Sequence, residues 1–315
     1  MAKQIRGVYA CVQTPFKENE DFDPQALRRE IDWFIDKGVH GLLMIGTIGE
    51  YAQLTMDERK ELCKVTVEQA NGRIPVMIGV AGAEQSTRET IELSKYAEDA
   101  GADVLMIKAP ATLGLWGIGL ADEMAEKALS SYFGAVSKSV NIPIMLYNYP
   151  STTKIDVTPN VVCSLAEKGY IQLVKESSHQ IERVQEIIHM CGDKITFFIG
   201  EDDLAFSAFV LGAKGWISSY ATIIPEMAVE LFELVDKGDT PKAKELWYKM
   251  VPLVDCLEVG KGVQLLKYGL ALQGVPVGRL RAPRPLLTEA EKEKLKKMLD
   301  DLGVQTLEIS QCREF

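Results

Sequence analysis

Residues 143–175 read PIMLYNYPSTTKIDVTPNVVCSLAEKGYIQLVK, and this stretch decides the fold. Two short apolar runs, Pro143–Tyr147 and Ile171–Lys175, flank a segment with helical signals. Thr158-Pro159 predicts a helix start, because a capping residue precedes proline at the first helical position, and Gly169 predicts its end. Short runs of this composition are typical of parallel strands that are buried on both faces. The stretch therefore predicts a strand–helix–strand unit.

The same alternation of apolar run, polar turn and amphipathic segment recurs along the chain. The apolar runs are Gly7–Val12, Gly41–Ile45, Pro75–Val80, Asp103–Ile107, Pro143–Tyr147, Ile171–Lys175, Thr196–Ile199 and Gly215–Ser218. Eight such repeats fit a closed (β/α)8 TIM barrel of the α/β class better than an open, doubly wound sheet. The nucleotide-binding patterns GxGxxG after a strand and GxxxxGK do not occur in the sequence.

Strand signals stop at about residue 225, and helical periodicity continues beyond it. The four helical segments are Glu226–Lys237, Pro241–Leu257, Lys261–Leu272 and Thr288–Leu302. We therefore predict a catalytic barrel over residues 1–225 and a C-terminal helical region over residues 226–315 that packs on the barrel.

Composition narrows the classes of function. A net charge of -10 without a basic cluster argues against nucleic-acid binding. The lack of an 18-residue apolar stretch argues against a membrane protein. The six cysteines are scattered without a CxxC pair, so we expect reduced thiols and a cytoplasmic protein. With three histidines in the chain, a metal site is hard to assemble, and we expect neither metal nor cofactor.

Catalytic residues of such barrels follow the carboxyl ends of the strands. After the second run, Gly46-Thr47-Ile48-Gly49-Glu50 offers backbone N–H groups that can bind a carboxylate, although an ordinary turn has the same composition. Tyr147 ends the fifth run, where a tyrosine either packs in the core or moves protons.

Lys175 ends the sixth run, and a charged amine loses hydration there. Burial lowers the pKa of an amine, and a neutral amine is what attack on a ketone requires. The alternative is a lysine whose ammonium reaches solvent at the rim.

Taken together, GTxGE, YNxP and a strand-borne lysine 28 residues after Tyr147 resemble the dihydrodipicolinate synthase / N-acetylneuraminate lyase superfamily. The resemblance covers nearly the whole chain. It begins at Thr14-Pro15-Phe16 and includes Gly200-Glu201-Asp202-Asp203 and Gly215-Trp216-Ile217-Ser218-Ser219.

The resemblance implies a role for each matching residue. Lys175 would form an imine with the keto carbon of a 2-oxo acid, and Tyr147 would carry protons to and from the substrate. Thr47 and the backbone around Ile48 would bind the carboxylate of the 2-oxo acid. The family also implies a homotetramer.

Departures from the family pattern bear on the substrate. Ile48 replaces a second hydroxyl residue, and Thr152 replaces the arginine that binds the carboxylate of the aldehyde in the lysine-pathway synthase. Ala111 and Thr112 replace a tyrosine pair, and the loop through Trp116 and Gly119 contains no tyrosine. A hydroxyl in place of the arginine suits a neutral, hydroxylated substrate tail.

Residues that would bind such a tail follow the last two strands. Gly200 and Asp202 follow the seventh, and Ser218 and Ser219 end the eighth. Asp203 is a further candidate for binding hydroxyls. The alternative for the acidic pair is to cap a helix.

Four functions compete. The first is an aldolase or dehydratase of a 2-oxo-3-deoxy sugar acid, acting through an imine. The second is a pyruvate-condensing synthase of the dihydrodipicolinate synthase type. The third is a catalytically silent barrel that serves as a small-molecule sensor, against which the Lys175, Tyr147 and Thr47 set argues. The fourth is a metal-dependent aldolase.

Overall fold

Eight parallel strands close into a barrel in chain order, as a computed structural model shows. The structure describes residues 4–81, 86–113, 122–257, 260–275 and 277–308. The strands are β1 (Gly7–Cys11), β2 (Gly41–Met44), β3 (Val76–Ala81), β4 (Val104–Lys108), β5 (Ile144–Asn148), β6 (Leu173–Glu176), β7 (Thr196–Ile199) and β8 (Gly215–Ser218). Each strand overlaps a predicted apolar run, so the predicted (β/α)8 TIM barrel is confirmed.

Helices follow the strands and continue past the last one. The α-helices of the described residues are α1 (Pro24–Asp36), α2 (Met56–Ala70), α3 (Thr87–Ala100), α4 (Asp122–Ser137), α5 (Pro150–Thr153), α6 (Pro159–Glu167), α7 (Glu182–Cys191), α8 (Ala205–Val210), α9 (Pro225–Asp236), α10 (Thr240–Leu257), α11 (Gly262–Leu272) and α12 (Glu289–Asp301). Helix α6 begins at the proline after Thr158, as predicted. Helices α9 to α12 match the four helical segments predicted beyond residue 225. None of the helices in the described ranges is long and apolar enough to cross a lipid bilayer.

The chain divides into two compact units. The first unit comprises Met1–Gly7 and Pro75–Ile217, and the second comprises Val8–Ile74 and Ser218–Phe315. The first unit holds β3 to β7, and the second holds β2 together with helices α9 to α12. The division at residue 225 into barrel and helical region stays a prediction.

Strand register in the first unit brings four residues into one row. Lys108 on β4 pairs with Tyr147 on β5, Tyr147 pairs with Lys175 on β6, and Lys175 pairs with Phe198 on β7. Paired residues of parallel strands point to the same face of a sheet. The row therefore places two lysines on either side of one tyrosine.

The expectation that every cysteine is a reduced thiol is wrong for one pair. Cys163 on α6 and Cys191 on α7 form a disulfide, with 5.2 Å between their Cα atoms. The sequence gives no sign of this bond, because the two residues are 28 positions apart and meet only when α6 packs against α7. The free thiols of the described residues, Cys11, Cys63 and Cys256, are buried, and Cys312 lies outside those residues.

Candidate functional site

The first unit brings Lys175 and Tyr147 into contact. The Nζ atom of Lys175 lies 4.0 Å from the centroid of the Tyr147 ring. The lysine is 6% exposed and the tyrosine 4% exposed, so neither side chain is at the rim in solvent. The alternative of a rim lysine is therefore excluded by its burial. A buried amine beside a phenol is an arrangement that can form an imine and move a proton.

A buried polar network fixes the two strands that carry these residues. Asn148, directly after Tyr147, donates from Nδ2 to Glu176 at 3.0 Å and to Asp156 at 3.1 Å. Glu176 is the residue directly after Lys175, and burial raises its pKa. Arg183 on α7 donates from Nη1 to Asp156 at 2.6 Å. Burial would raise the pKa of Asp156, but hydrogen bonds from Arg183 and Asn148 hold it below its usual value. Successive strand residues point to opposite faces of the sheet. The network therefore holds the two strands from one face, while Tyr147 and Lys175 point to the other.

Lys108 is a second buried amine at this site and is not among the residues predicted from the sequence. Its Nζ lies 5.1 Å from the centroid of the Tyr147 ring and 5.7 Å from that of Tyr149. Burial, and then the charge of Lys175, lowers the pKa of Lys108 to about 7. The signal was available, since Lys108 follows an apolar run in the same way as Lys175 does. The predicted run Asp103–Ile107 stops one residue before Lys108, which is the last residue of β4.

Gly200 and Glu201 also lie next to Lys175. A Cβ atom at Gly200 would lie 2.4 Å from Cε of Lys175 and 2.1 Å from Oγ of Ser177, so glycine is what lets the lysine pass. Burial raises the pKa of Glu201, and the charges of His179 and Lys175 partly offset this rise. A carboxyl group with a raised pKa next to an amine is a candidate acid and base. Glu201 is not among the site residues predicted from the sequence, whereas its neighbour Asp202 is.

Within the described ranges, one group of residues could hold a metal ion. His179, Glu201 and Asp203 each offer a ligand atom, and these atoms lie within 4.8 Å of one another. Nε2 of His179 is 3.2 Å from Oε2 of Glu201, and Nδ1 is 3.9 Å from Oδ2 of Asp203. The same distances are those of an imidazole lying between two carboxylates. The expectation that the protein needs no metal stays a prediction.

Thr47 and Ile48 lie in the second unit, in the loop that follows β2. Both side chains are half-buried. Oγ1 of Thr14 donates to the carbonyl of Gly49 at 2.6 Å, which fixes one end of the loop.

Glu50, the residue after Gly49, is held at the same end of that loop by ion pairs. Its carboxylate lies 2.8 Å from Nζ of the fully buried Lys267 on α11 and 3.1 Å from Nε of Arg284. Lys267 also donates to the carbonyls of Thr14 and Arg279. The C-terminal part of the chain thus holds the GTxGE loop, a dependence that the motif alone does not reveal.

The remaining candidates differ in how they are placed. Thr152 is exposed on the short helix α5, and its side chain is not brought to Lys175 by any contact among the described residues. Asp202 is half-buried and begins a 3-10 turn, Asp202–Leu204.

Ser218 is fully buried, and its Oγ accepts a hydrogen bond from the N–H of Ala221 at 2.9 Å. Ser219 is half-buried beside it. Ala111 is buried in the 3-10 turn Ala111–Leu113, whereas Trp116 and Gly119 lie outside the described residues.

Comparison with known proteins identifies the family. Residues 4–302 match the model of the dihydrodipicolinate synthetase family. The 4-hydroxy-tetrahydrodipicolinate synthase of Methanocaldococcus jannaschii is 38% identical over 302 residues, which are 95% of this chain and 99% of that protein. A dihydrodipicolinate synthase from Acinetobacter baumannii, solved with pyruvate, is 29% identical with a TM-score of 0.87 and covers 96% of this chain and 100% of that chain.

A prophage protein of the same family from E. coli K12, YagE, was also solved in complex with pyruvate. It is 31% identical, with a TM-score of 0.87, and covers 95% of this chain and 99% of that chain. The expected resemblance is thus confirmed over nearly the whole length. With its barrel, its buried Lys175–Tyr147 pair and these matches, the chain is an enzyme of the dihydrodipicolinate synthetase family.

Proposed function

We propose that Lys175 forms an imine with the keto carbon of a 2-oxo acid, and that pyruvate is this acid. The observation that carries the proposal is the contact between the buried amine of Lys175 and the ring of Tyr147, 4.0 Å from nitrogen to centroid. The neutral amine attacks the ketone, and loss of water from the carbinolamine gives the imine. The imine withdraws electrons, so removal of a C3 proton gives an enamine instead of a bare carbanion. The enamine then attacks an aldehyde carbon, or the reverse step cleaves the C3–C4 bond.

Tyr147 is the proton carrier in this scheme. Its ring stacks on that of Tyr149, with centroids 5.5 Å apart and planes 9° from parallel, so the orientation of the phenol is fixed. Thr47 and the backbone of Ile48 bind the carboxylate of the 2-oxo acid. The support for this role is the loop after β2, which is held by Thr14 at Gly49 and by Lys267 at Glu50. A rigid loop presents its N–H groups without an ordering cost at the moment of binding.

The condensing direction is the function that we place first. The relatives with 32–38% identity over 95% of this chain are named 4-hydroxy-tetrahydrodipicolinate synthase, so a synthase that joins pyruvate to an aldehyde fits them better than our first interpretation, a sugar-acid aldolase. The Lys175 imine serves both reactions.

A second candidate function is an aldolase or dehydratase of a 2-oxo-3-deoxy sugar acid, and a few residues favour it. Thr152, where the synthase has an arginine, cannot pair with a second carboxylate. Gly200, Asp202 and Ser219 follow strands β7 and β8, where they would bind substrate hydroxyls. Ser218 fits this role less well, because its Oγ already accepts the hydrogen bond from Ala221.

A comparison of kcat/KM distinguishes the two functions. The wild-type protein is assayed with pyruvate plus aspartate semialdehyde and with a 2-oxo-3-deoxy sugar acid, each with and without a chelator. Higher kcat/KM for the semialdehyde supports the synthase, and higher kcat/KM for the sugar acid supports the aldolase. Loss of both activities on chelation would contradict an imine mechanism without metal.

Substitution at Thr152 sharpens this test. Thr152→Arg should raise kcat/KM for the acidic partner, since a guanidinium pairs bidentately with a carboxylate, and Thr152→Ala is the matched control. Because Thr152 is exposed, neither change should affect folding. We also propose that the protein is a homotetramer and that it works in the cytoplasm. Sedimentation at micromolar protein concentration tests the tetramer.

A further inference from the structure

We propose that Lys108 binds the carboxylate at the far end of the aldehyde substrate, and that it thereby selects an acidic aldehyde as the partner of pyruvate. The inference rests on the imine at Lys175 and on the condensing direction, both proposed above. It adds to them a specificity-determining residue that lies outside the GTxGE and YNxP motifs.

Strand register places Lys108 on the face of the sheet that carries the nucleophile. Lys108 pairs with Tyr147, and Tyr147 pairs with Lys175, so the three side chains point to one face. The Nζ atoms of the two lysines lie 5.1 Å and 4.0 Å from the centroid of the Tyr147 ring. The two nitrogens are therefore no farther apart than the sum of these distances.

The length of the substrate suffices for this separation. Once the enamine has attacked aspartate semialdehyde, a chain of six bonds joins the nitrogen of Lys175 to the far carboxylate carbon, and it spans about 7–8 Å when extended. A charge-assisted hydrogen bond from an amine to the carboxylate adds about 2.8 Å. A chain that is somewhat bent therefore brings the far carboxylate to Lys108.

A second ring places the amine of Lys108 near the strand ends, where substrates of such barrels bind. Its Nζ lies 5.7 Å from the centroid of Tyr149, which is half-buried and directly follows β5. Thr152, three residues further on, is uncharged and exposed, so it offers a carboxylate no cation. Lys108 is 2% exposed, and a charged pair formed there is screened little by water.

The charge of Lys108 responds to what is bound beside it. Burial, and then the charge of Lys175, lowers the pKa of Lys108 to about 7, so the amine of the free protein is partly protonated near neutral pH. A carboxylate next to the amine favours its charged form and raises the pKa again. Conversion of the protonated imine at Lys175 into the neutral enamine also removes a positive charge before the aldehyde is attacked. Lys108 can therefore hold its proton while the acidic aldehyde is bound.

The test is steady-state kinetics with pyruvate and aspartate semialdehyde. In Lys108→Met, and in Lys108→Gln as a second uncharged variant, KM for the semialdehyde should rise about 10–100-fold while kcat changes little, because a hydrogen bond to a charged group is lost from bound substrate and transition state alike. The pyruvate concentration for half-saturation, and the yield of borohydride-reduced adduct with pyruvate alone, should stay near those of the wild type. Lys108→Arg keeps a cation and should recover much of the lost affinity.

Lys154→Met provides the matched control. Lys154 is an exposed lysine directly after α5, two residues beyond Thr152, and its Nζ donates to the carbonyl of Ser151. The same substitution at this position should leave KM for the semialdehyde unchanged. If it raises this KM and Lys108→Met does not, the carboxylate is bound near α5 and the inference is overturned.

The remaining outcomes separate the inference from the proposed function. An unchanged KM for the semialdehyde in both uncharged variants would overturn the inference. A rise in KM for pyruvate, or loss of pyruvate trapping in both variants, would also overturn it, since Lys108 would then serve the 2-oxo acid or the fold. A wild-type protein that traps pyruvate but does not consume the semialdehyde would contradict the condensing direction, and the inference with it. A wild-type protein that gives no adduct would contradict the imine itself.

Discussion

Gly200→Ala tests the site geometry, because the added methyl group would lie against the side chain of Lys175. The backbone of Gly200 is outside the left-handed region, so alanine can adopt it. The new Cβ would lie 2.4 Å from Cε of Lys175, 3.0 Å from its Cγ and 2.1 Å from Oγ of Ser177. Ordinary contacts of a Cβ atom begin at 3.4 Å. The lysine side chain must therefore move by about 1 Å, or the backbone must yield.

The expected loss follows from this displacement. Overpacking a buried site costs about 1–3 kcal/mol of stability, so most of the protein should stay folded. Displacing a reacting group by about 1 Å can lower kcat about 100-fold. We therefore expect kcat to fall by about two orders of magnitude while the free energy of unfolding falls by a few kcal/mol at most.

The assay combines kinetics with denaturation. Turnover of pyruvate is measured for the wild type and Gly200→Ala, and urea unfolding gives the stability of each. Gly262→Ala is the matched control, since among the described residues a Cβ at Gly262 on α11 meets one atom, the carbonyl oxygen of Leu257, at an ordinary 3.5 Å. Near wild-type turnover of Gly200→Ala, with the control also active, would refute the placement of Lys175 against Gly200.

Three further predictions follow from other parts of the structure. Tyr147→Phe keeps the stacked ring and removes the hydroxyl, so kcat should fall about 100-fold or more with little change in unfolding; near-full activity would show that the tyrosine only packs. Lys267→Met leaves Glu50 short of a buried cation and should cost about 3–5 kcal/mol in urea unfolding, whereas Lys37→Met, at an exposed ion pair, should cost about 1 kcal/mol or less. Mass spectrometry without reductant should find Cys163 joined to Cys191, and reduction should cost about 3–4 kcal/mol for a loop of this length; two free thiols would contradict the bond.

Much of the fold could be predicted from local sequence alone. Buried parallel strands are short apolar runs, and each observed strand overlaps one. Proline after Thr158 and glycine at 169 bound a helix for reasons that act within a few residues. Lys175 and Tyr147 could be found because a polar group at the end of a buried run is unusual, and because their spacing matches a family pattern.

Other features depend on contacts that no local pattern encodes. Lys108 ends an apolar run as Lys175 does, but its place opposite Tyr147 depends on the register between β4 and β5. Choosing between Glu201 and Asp202 required knowing which of two neighbouring carboxylates is turned inward at the start of a 3-10 turn. The disulfide required the packing of α6 on α7. The buried pair of Glu50 and Lys267 joins a loop near the start of the chain to a helix near its end.

The central claim is that Lys175 is the covalent nucleophile, and peptide mapping after reduction tests it most directly. The protein is incubated with pyruvate, reduced with borohydride and digested, and the modified peptide is sequenced by mass spectrometry. The account predicts one adduct, on Lys175, and none in Lys175→Arg, because arginine stays protonated. Label on Lys108 or on any other lysine, or adduct formation that survives in Lys175→Arg, would contradict it.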